Sequence, residues 1–105
     1  MRVFESLKDI INNIKNGNKR IPDAYSQFPM FEGNITNLSE RKEEKYTRCT
    51  MDYKNVSEEE FNNYILKVES LGYIKASKVK YEKENTYIII ERNSNMLHLV
   101  FHIKR

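Results

Sequence analysis

At Gly72 the hydrophobic period of this chain changes from about 3.6 residues to two, and no other feature restricts the fold as much. Before it, "SEEEFNNYILKVESLG" carries Phe61, Tyr64, Ile65, Val68 and Leu71 at three- and four-residue steps, the stripe of an amphipathic helix. Ser57 and Glu60 have the spacing of a capping box, in which each side chain satisfies a backbone amide of the other residue. Glu58, Glu59 and Glu60 place negative charge at the positive end of the helix dipole. Cap and dipole therefore account for all three carboxylates without a catalytic pair. Gly72 supplies the left-handed residue that ends such a helix. The spacing predicts a helix over 57–71.

After Gly72 the pattern is that of strands. Over 74–83, Val79 and Tyr81 alternate with Lys78 and Lys80. "KEN" reads as a turn, and Thr86–Arg92 contains the apolar run Tyr87-Ile88-Ile89-Ile90 of a central strand. "NSN" reads as a tight turn. In Met96–Lys104, Leu97, Leu99, Phe101 and Ile103 alternate with His98, Val100 and His102. Upstream of the helix a strand begins at Tyr46, with Thr47, Cys49 and Met51 on one face and Tyr46, Arg48 and Thr50 on the other. The charged run Glu40–Lys45 before it reads as solvated.

The amino-terminal segment has Val3, Phe4, Leu7, Ile10, Ile11 and Ile14 at helical spacing, which predicts a helix over 2–16. Between it and the first strand lies an irregular connection, 17–40, punctuated by Gly17, Pro22, Pro29 and Gly33. Tyr25, Phe28, Met30 and Phe31 are too apolar for a free linker, so this connection should pack on the body. The expected architecture is α+β: an antiparallel sheet of about four strands, helix 57–71 on one face, and an N-terminal helix. Length predicts a single domain, 1–105, with helix 2–16 and connection 17–40 as its extension.

Composition narrows the function classes. Eighteen basic and fifteen acidic residues give a net charge of +3, an ordinary surface and not that of a dedicated DNA binder. A lone cysteine, Cys49, rules out an internal disulfide, so nothing points to an oxidising compartment. The opening residues are interrupted by Glu5, Lys8 and Asp9, unlike a signal peptide, and no apolar run reaches the ~18 residues of a membrane span. The expected location is cytoplasmic; a mature fragment of an exported protein is the alternative.

No G-x-G-x-x-G, G-x-x-x-x-G-K-[ST] or G-x-S-x-G motif occurs. His98 and His102 share one strand face, but four residues of strand separate them by ~13 Å, too far to chelate one zinc. Neither a metal nor a cofactor is expected. Cys49 lies mid-strand, where a buried core thiol is the simpler reading than a nucleophile. No catalytic residue is assigned, and the chain is read as non-enzymatic.

Two surfaces remain. The first is the sheet face opposite the helix, where Tyr46, Tyr87, Ile89, His98, Val100 and His102 form a mixed apolar patch. It would be covered by the N-terminal helix and the aromatic loop Tyr25–Phe31, or would bind a second copy or another protein. The second is basic: Lys75, Lys78, Lys80 and Lys83 with Tyr81 could form a platform for single-stranded nucleic acid. Lysine also blocks pairing at sheet edges, which is the competing explanation.

Residues 29–105 resemble small bacterial α+β domains of unknown function. In these a Pro-aromatic-x-Gly stretch leads into a strand, a helix ends in an L-x-x-x-G-F/Y-like segment, and an antiparallel meander follows. The corresponding residues are "PMFEG" (29–33), "SEEEFNNYILKVESLGY" (57–73) and "TYIIIERNSNMLHLVFHI" (86–103). The resemblance implies the same layered fold and supplies no catalytic residue. The reading that follows is a non-catalytic protein-interaction module: a small inhibitor or immunity-type protein, or a homodimer. A nucleic-acid-binding domain is the alternative.

Overall fold

The computed structural model describes residues 20–105. The helix expected over 2–16 lies outside them, as do its packing and the first residues of the connection. Within them the chain forms one turn of 3-10 helix (Asp23–Tyr25), β1 (Ile35–Lys42), β2 (Tyr46–Tyr53), α1 (Glu58–Ser70), β3 (Ile74–Lys75), β4 (Lys80–Lys83), β5 (Thr86–Asn93) and β6 (Met96–Lys104). The strands make one antiparallel sheet of six, in the order β1-β2-β6-β5-β4-β3.

Six strands replace the four expected, for two physical reasons. In β1 only Ile35 and Leu38 are apolar, three residues apart, a spacing that should put them on opposite faces of a regular strand. A bulge between Ile35 and Asn37 lets Ile35 oppose Tyr53 and Leu38 oppose Met51, so both face the core. The last residues of β1 are charged, as suits an edge strand, and the run around Glu40 that looked like loop is paired to β2. The segment 74–83 is a hairpin and not one strand. Ala76 and Ser77 donate their amides to the Lys80 carbonyl at 2.8 and 3.3 Å, folding β4 back on β3.

α1 forms as its punctuation requires. The Ser57 hydroxyl accepts from the Glu60 amide at 3.1 Å, and the Ser57 amide donates to Glu60 Oε1 at 2.9 Å. Gly72 follows the helix with φ +95°, a conformation costly for any side chain. Between β5 and β6, Ser94 and Asn95 both have positive φ, as a two-residue hairpin of primed type needs.

The main core lies on one face of the sheet. Cys49, Met51 and Tyr53 of β2, Ile88 and Ile90 of β5, and Leu97, Leu99 and Phe101 of β6 meet Tyr64 and Val68 of α1 there. The aromatic strap before β1 packs on this same face, not over the opposite patch. Phe28 stacks on Phe101 with centroids 4.5 Å apart, and Phe31 meets Tyr53 and Tyr64 edge-on at 4.9 and 5.7 Å. The Tyr64 hydroxyl donates to the Pro29 carbonyl at 2.6 Å. Gly33 is where the strap turns into β1; a Cβ there would lie 2.8 Å from Phe31 Cε2 and 3.3 Å from Tyr53 Cδ2.

Candidate interaction surface

With the strap and α1 both on the inner face, the outer face is presented by alternate residues of all six strands, β3 contributing only Ile74. Its register forms three rows across the sheet. Arg41, Arg48, His102, Tyr87, Glu82 and, at the edge, Ile74 form the first. Ser39, Thr50, Val100, Ile89 and Lys80 form the second, and Asn37, Asp52, His98 and Glu91 the third. Tyr46 and Lys104 oppose each other just beyond the first row. All six patch residues named from sequence share this face: Tyr46, Tyr87, Ile89, His98, Val100 and His102.

His102 is the centre of the first row. β6 lies between β2 and β5, so Tyr46 and Tyr87 flank its ring from opposite sides, with centroids 4.8 and 4.2 Å away and planes tilted by 23° and 13°. Between them the imidazole is only 6% exposed. Arg48 Nε donates to His102 Nδ1 at 3.3 Å, which requires that nitrogen to carry a lone pair and puts the imidazole proton on Nε2. Burial, together with the cations Arg48, Lys104 and Lys80, holds the His102 pKa below its ordinary 6.5. Arg48 is further fixed by a 3.4 Å bond from Nη2 to the Tyr87 hydroxyl and by lying 4.9 Å from the Tyr46 ring centroid. Lys80 Nζ sits 4.4 Å over Tyr87 and 3.3 Å from Glu82. Among the described residues Arg48 has no carboxylate partner.

The third row is built differently. His98 Nδ1 and Asp52 Oδ1 are 2.6 Å apart, and Asn37 Nδ2 donates to Asp52 Oδ2 at 3.4 Å. The face is therefore polar along its strands, with cations and aromatic rings at one end, Asp52 and Glu91 at the other, and Val100 and Ile89 between.

The basic platform does not assemble. Tyr81 is buried at 3% exposure in the core, and Lys75 lies opposite it on the same face of the sheet. Lys83 Nζ donates to the Leu71 carbonyl at 2.6 Å and lies 5.4 Å from the Tyr73 centroid, at the end of α1. Lys78 lies between β3 and β4, outside both strands. Lys80 alone of the four joins the outer face, and the Tyr87 ring it covers is already stacked on His102.

Cys49 is fully buried on the inner face, opposite Phe101, while both histidines point outward from β6. The sheet separates them, so no Cys–His pair forms. Burial, with Glu40 beside it, pushes the Cys49 thiol up to about 11. Among the described residues, no three His, Cys, Asp or Glu side chains gather as a metal site would need. An open cleft of about 310 Å³ beside α1 is lined by Met30, Phe31, Glu60 and Lys67, but Glu60 is committed to the cap and Lys67 to the Met30 carbonyl at 3.0 Å. No described helix is long and apolar enough to cross a membrane.

Arg48 and Asp52, which give the face its charge, were not singled out from sequence. Their signal was present in "YTRCTMDY", where Tyr46, Arg48, Thr50 and Asp52 alternate with the buried residues. What the sequence withheld was the pairing of β2 with β6, which sets them beside His102 and His98. No family model, curated protein or solved structure matches the chain.

Proposed function

We propose that this chain is a non-catalytic protein-interaction module that engages its partner through the outer face of the sheet. The observation that carries this reading is the fixed cluster around His102: two tyrosines, an imidazole and an arginine held in one geometry by stacking and hydrogen bonds. Tyrosine and arginine dominate the energetics of protein interfaces. Ordering them before binding removes part of the entropic cost of association. A homodimer and an inhibitor or immunity-type protein are both modules of this kind, needing a stable scaffold and a surface. Single-stranded nucleic acid is the runner-up. It fits less well because His102 presents neither ring face to a base and Tyr87 has Lys80 over it. A cytoplasmic location goes with the reading, since one cysteine gives the chain no internal disulfide.

The test compares immobilised wild type with Ile89→Asp on the outer face and Leu66→Asp on the exposed side of α1, using purified chain and a cell extract as analytes. The reading expects protein retention that survives the α1 change and is lost with the outer-face change. Retention that ignores Ile89→Asp removes the proposal. Salt-sensitive retention of a single-stranded oligonucleotide, abolished by Lys78→Glu with Lys80→Glu, replaces it with the nucleic-acid reading.

A further inference from the structure

Resting on that reading, we infer that the partner is a second copy of this chain, packed outer face to outer face about a two-fold axis that runs across the strands through Val100. The three rows of the face specify this arrangement. Such an axis keeps each strand over its own counterpart and reverses its direction, so the first row of one copy covers the third row of the other. Arg48 then lies over Asp52 of the second copy, and Tyr87, whose hydroxyl can donate, lies over Glu91. Arg41 faces Asn37, and His102 faces His98. The middle row falls on itself, the more exposed Ile89 on Ile89 beside Val100, which is only 9% exposed, so that Ile89 supplies most of the apolar centre.

The competing two-fold, parallel to the strands along β6, is rejected by the same pattern. It would lay Asp52 over Glu91, two carboxylates in one desolvated contact. Self-complementarity of this sort is what an isologous interface requires. Sheets stacked in this way cross at about 30°, so the match is closest at Val100 and relaxes toward the margins. That places the Lys80 pair, the one like-charge contact of the middle row, where the sheets diverge and where each lysine keeps its own Glu82. Five strands at ~4.8 Å spacing and ~27 Å length give a footprint of about 600 Å² per copy. The total of about 1,200 Å² is at the lower end for a specific complex and suits a dimer of micromolar affinity.

Sedimentation equilibrium of the full chain from 1 µM to about 1 mM reads the result. The expected outcome is a monomer–dimer equilibrium with a dissociation constant of tens of micromolar. Arg48→Asp and Asp52→Arg should each weaken it at least ~10-fold, because each homodimer then opposes like charges twice. Mixed in equal amounts, the two variants should recover most of the affinity as a heterodimer, since every altered contact then opposes unlike charges. Recovery on mixing also shows that both variants are folded. A wild type that is monomeric throughout overturns the inference, and so does a mixture no tighter than the single variants. A monomer that still retains another protein through the outer face overturns the second copy alone and leaves the interaction module standing. A monomer that retains nothing removes both.

Discussion

Tyr64→Phe isolates the bond that ties the strap to the helix. Tyr64 is 4% exposed, and its hydroxyl donates to the carbonyl of Pro29, itself buried, at 2.6 Å. Burial pushes its phenol pKa far above the usual range, so the donor proton is present at any working pH. Phenylalanine keeps the ring, its contact with Phe31 and nearly all of the buried area, so the transfer term is close to zero. What remains is the lost bond, about 1 kcal/mol net, and the stranding of a buried carbonyl, about 1–3 kcal/mol if nothing replaces the donor. We expect a loss of about 2 kcal/mol in total, which lowers the urea midpoint by ~1–2 M at unchanged slope. The melting temperature should fall by ~8–16 °C. Exchange of the Phe28 amide, bonded to the Tyr25 carbonyl at 3.0 Å, should quicken more than that of β6 amides, because the strap loosens before the sheet. Lys67→Met, which removes an exposed bond to Met30 next door, is the control and should cost under ~0.5 kcal/mol. A Tyr64→Phe loss equally small would mean that water satisfies Pro29 and that packing alone docks the strap.

The remaining predictions concern the cap, the thiol and the buried imidazole. Ser57→Ala removes a capping bond and should cost about 1 kcal/mol by urea titration, while Ser57→Gly should cost only a few tenths; equal losses would point away from the cap. Cys49, wholly buried with its thiol raised to about 11, should react with an aromatic disulfide reagent only as fast as the chain unfolds, and modification within minutes under native conditions would contradict its placement. For His102 the folded pKa lies below 6.5, so the unfolded chain takes up the proton first as pH falls. Its contribution to stability is complete above about 6.5 and declines below it. The groups facing it are Arg48, Lys80 and Lys104, with Glu82 one strand beyond Tyr87. His102→Gln should flatten the fall in urea midpoint between about pH 7 and 5, and an unchanged slope would assign that fall to other groups.

How much of this was legible in the sequence differs by element. α1 could be read almost to the residue because each of its ends is a local signal, Ser57 with Glu60 at one and Gly72 at the other. β5 and β6 could be read because one carries a continuous β-branched run, the other largely alternates, and the turn between them is short. β1 could not, because its bulge turns a period of two into a spacing of three and its far end is charged for edge protection. The β3–β4 hairpin was hidden because its turn, 76–79, uses Ala, Ser, Lys and Val in place of Gly or Pro. The outer patch residues could be named from alternation alone, but Lys75, Lys83 and Tyr81 could not be assigned to a face without that hairpin. Arg48 and Asp52 come to lie beside His102 and His98 only through register, which is a property of two strands and not of either one.

If the outer face is the interface proposed above, the His102 cluster joins folding and association through one proton. Arg48 is held by neutral acceptors, Nδ1 of His102 and the Tyr87 hydroxyl, and not by a carboxylate among the described residues. A cation ordered in this way is ready for an anion that none of the described residues places beside it. Protonating His102 fills Nδ1, turns the acceptor into a cation and drives Arg48 from its position over Tyr46. Acid should therefore weaken association before it unfolds the domain, because the anchor is lost while the inner core, on the other side of the sheet, is untouched. The Arg48 Nε–H resonance reports the step directly. It should be protected from solvent exchange at pH 7 and lose that protection only once the pH falls below the depressed folded pKa of His102, with β6 amides still protected. An Nε–H that stays protected after the His102 ring itself has titrated would show that the imidazole does not hold the guanidinium, and the preorganisation argued for this face would lose its physical basis.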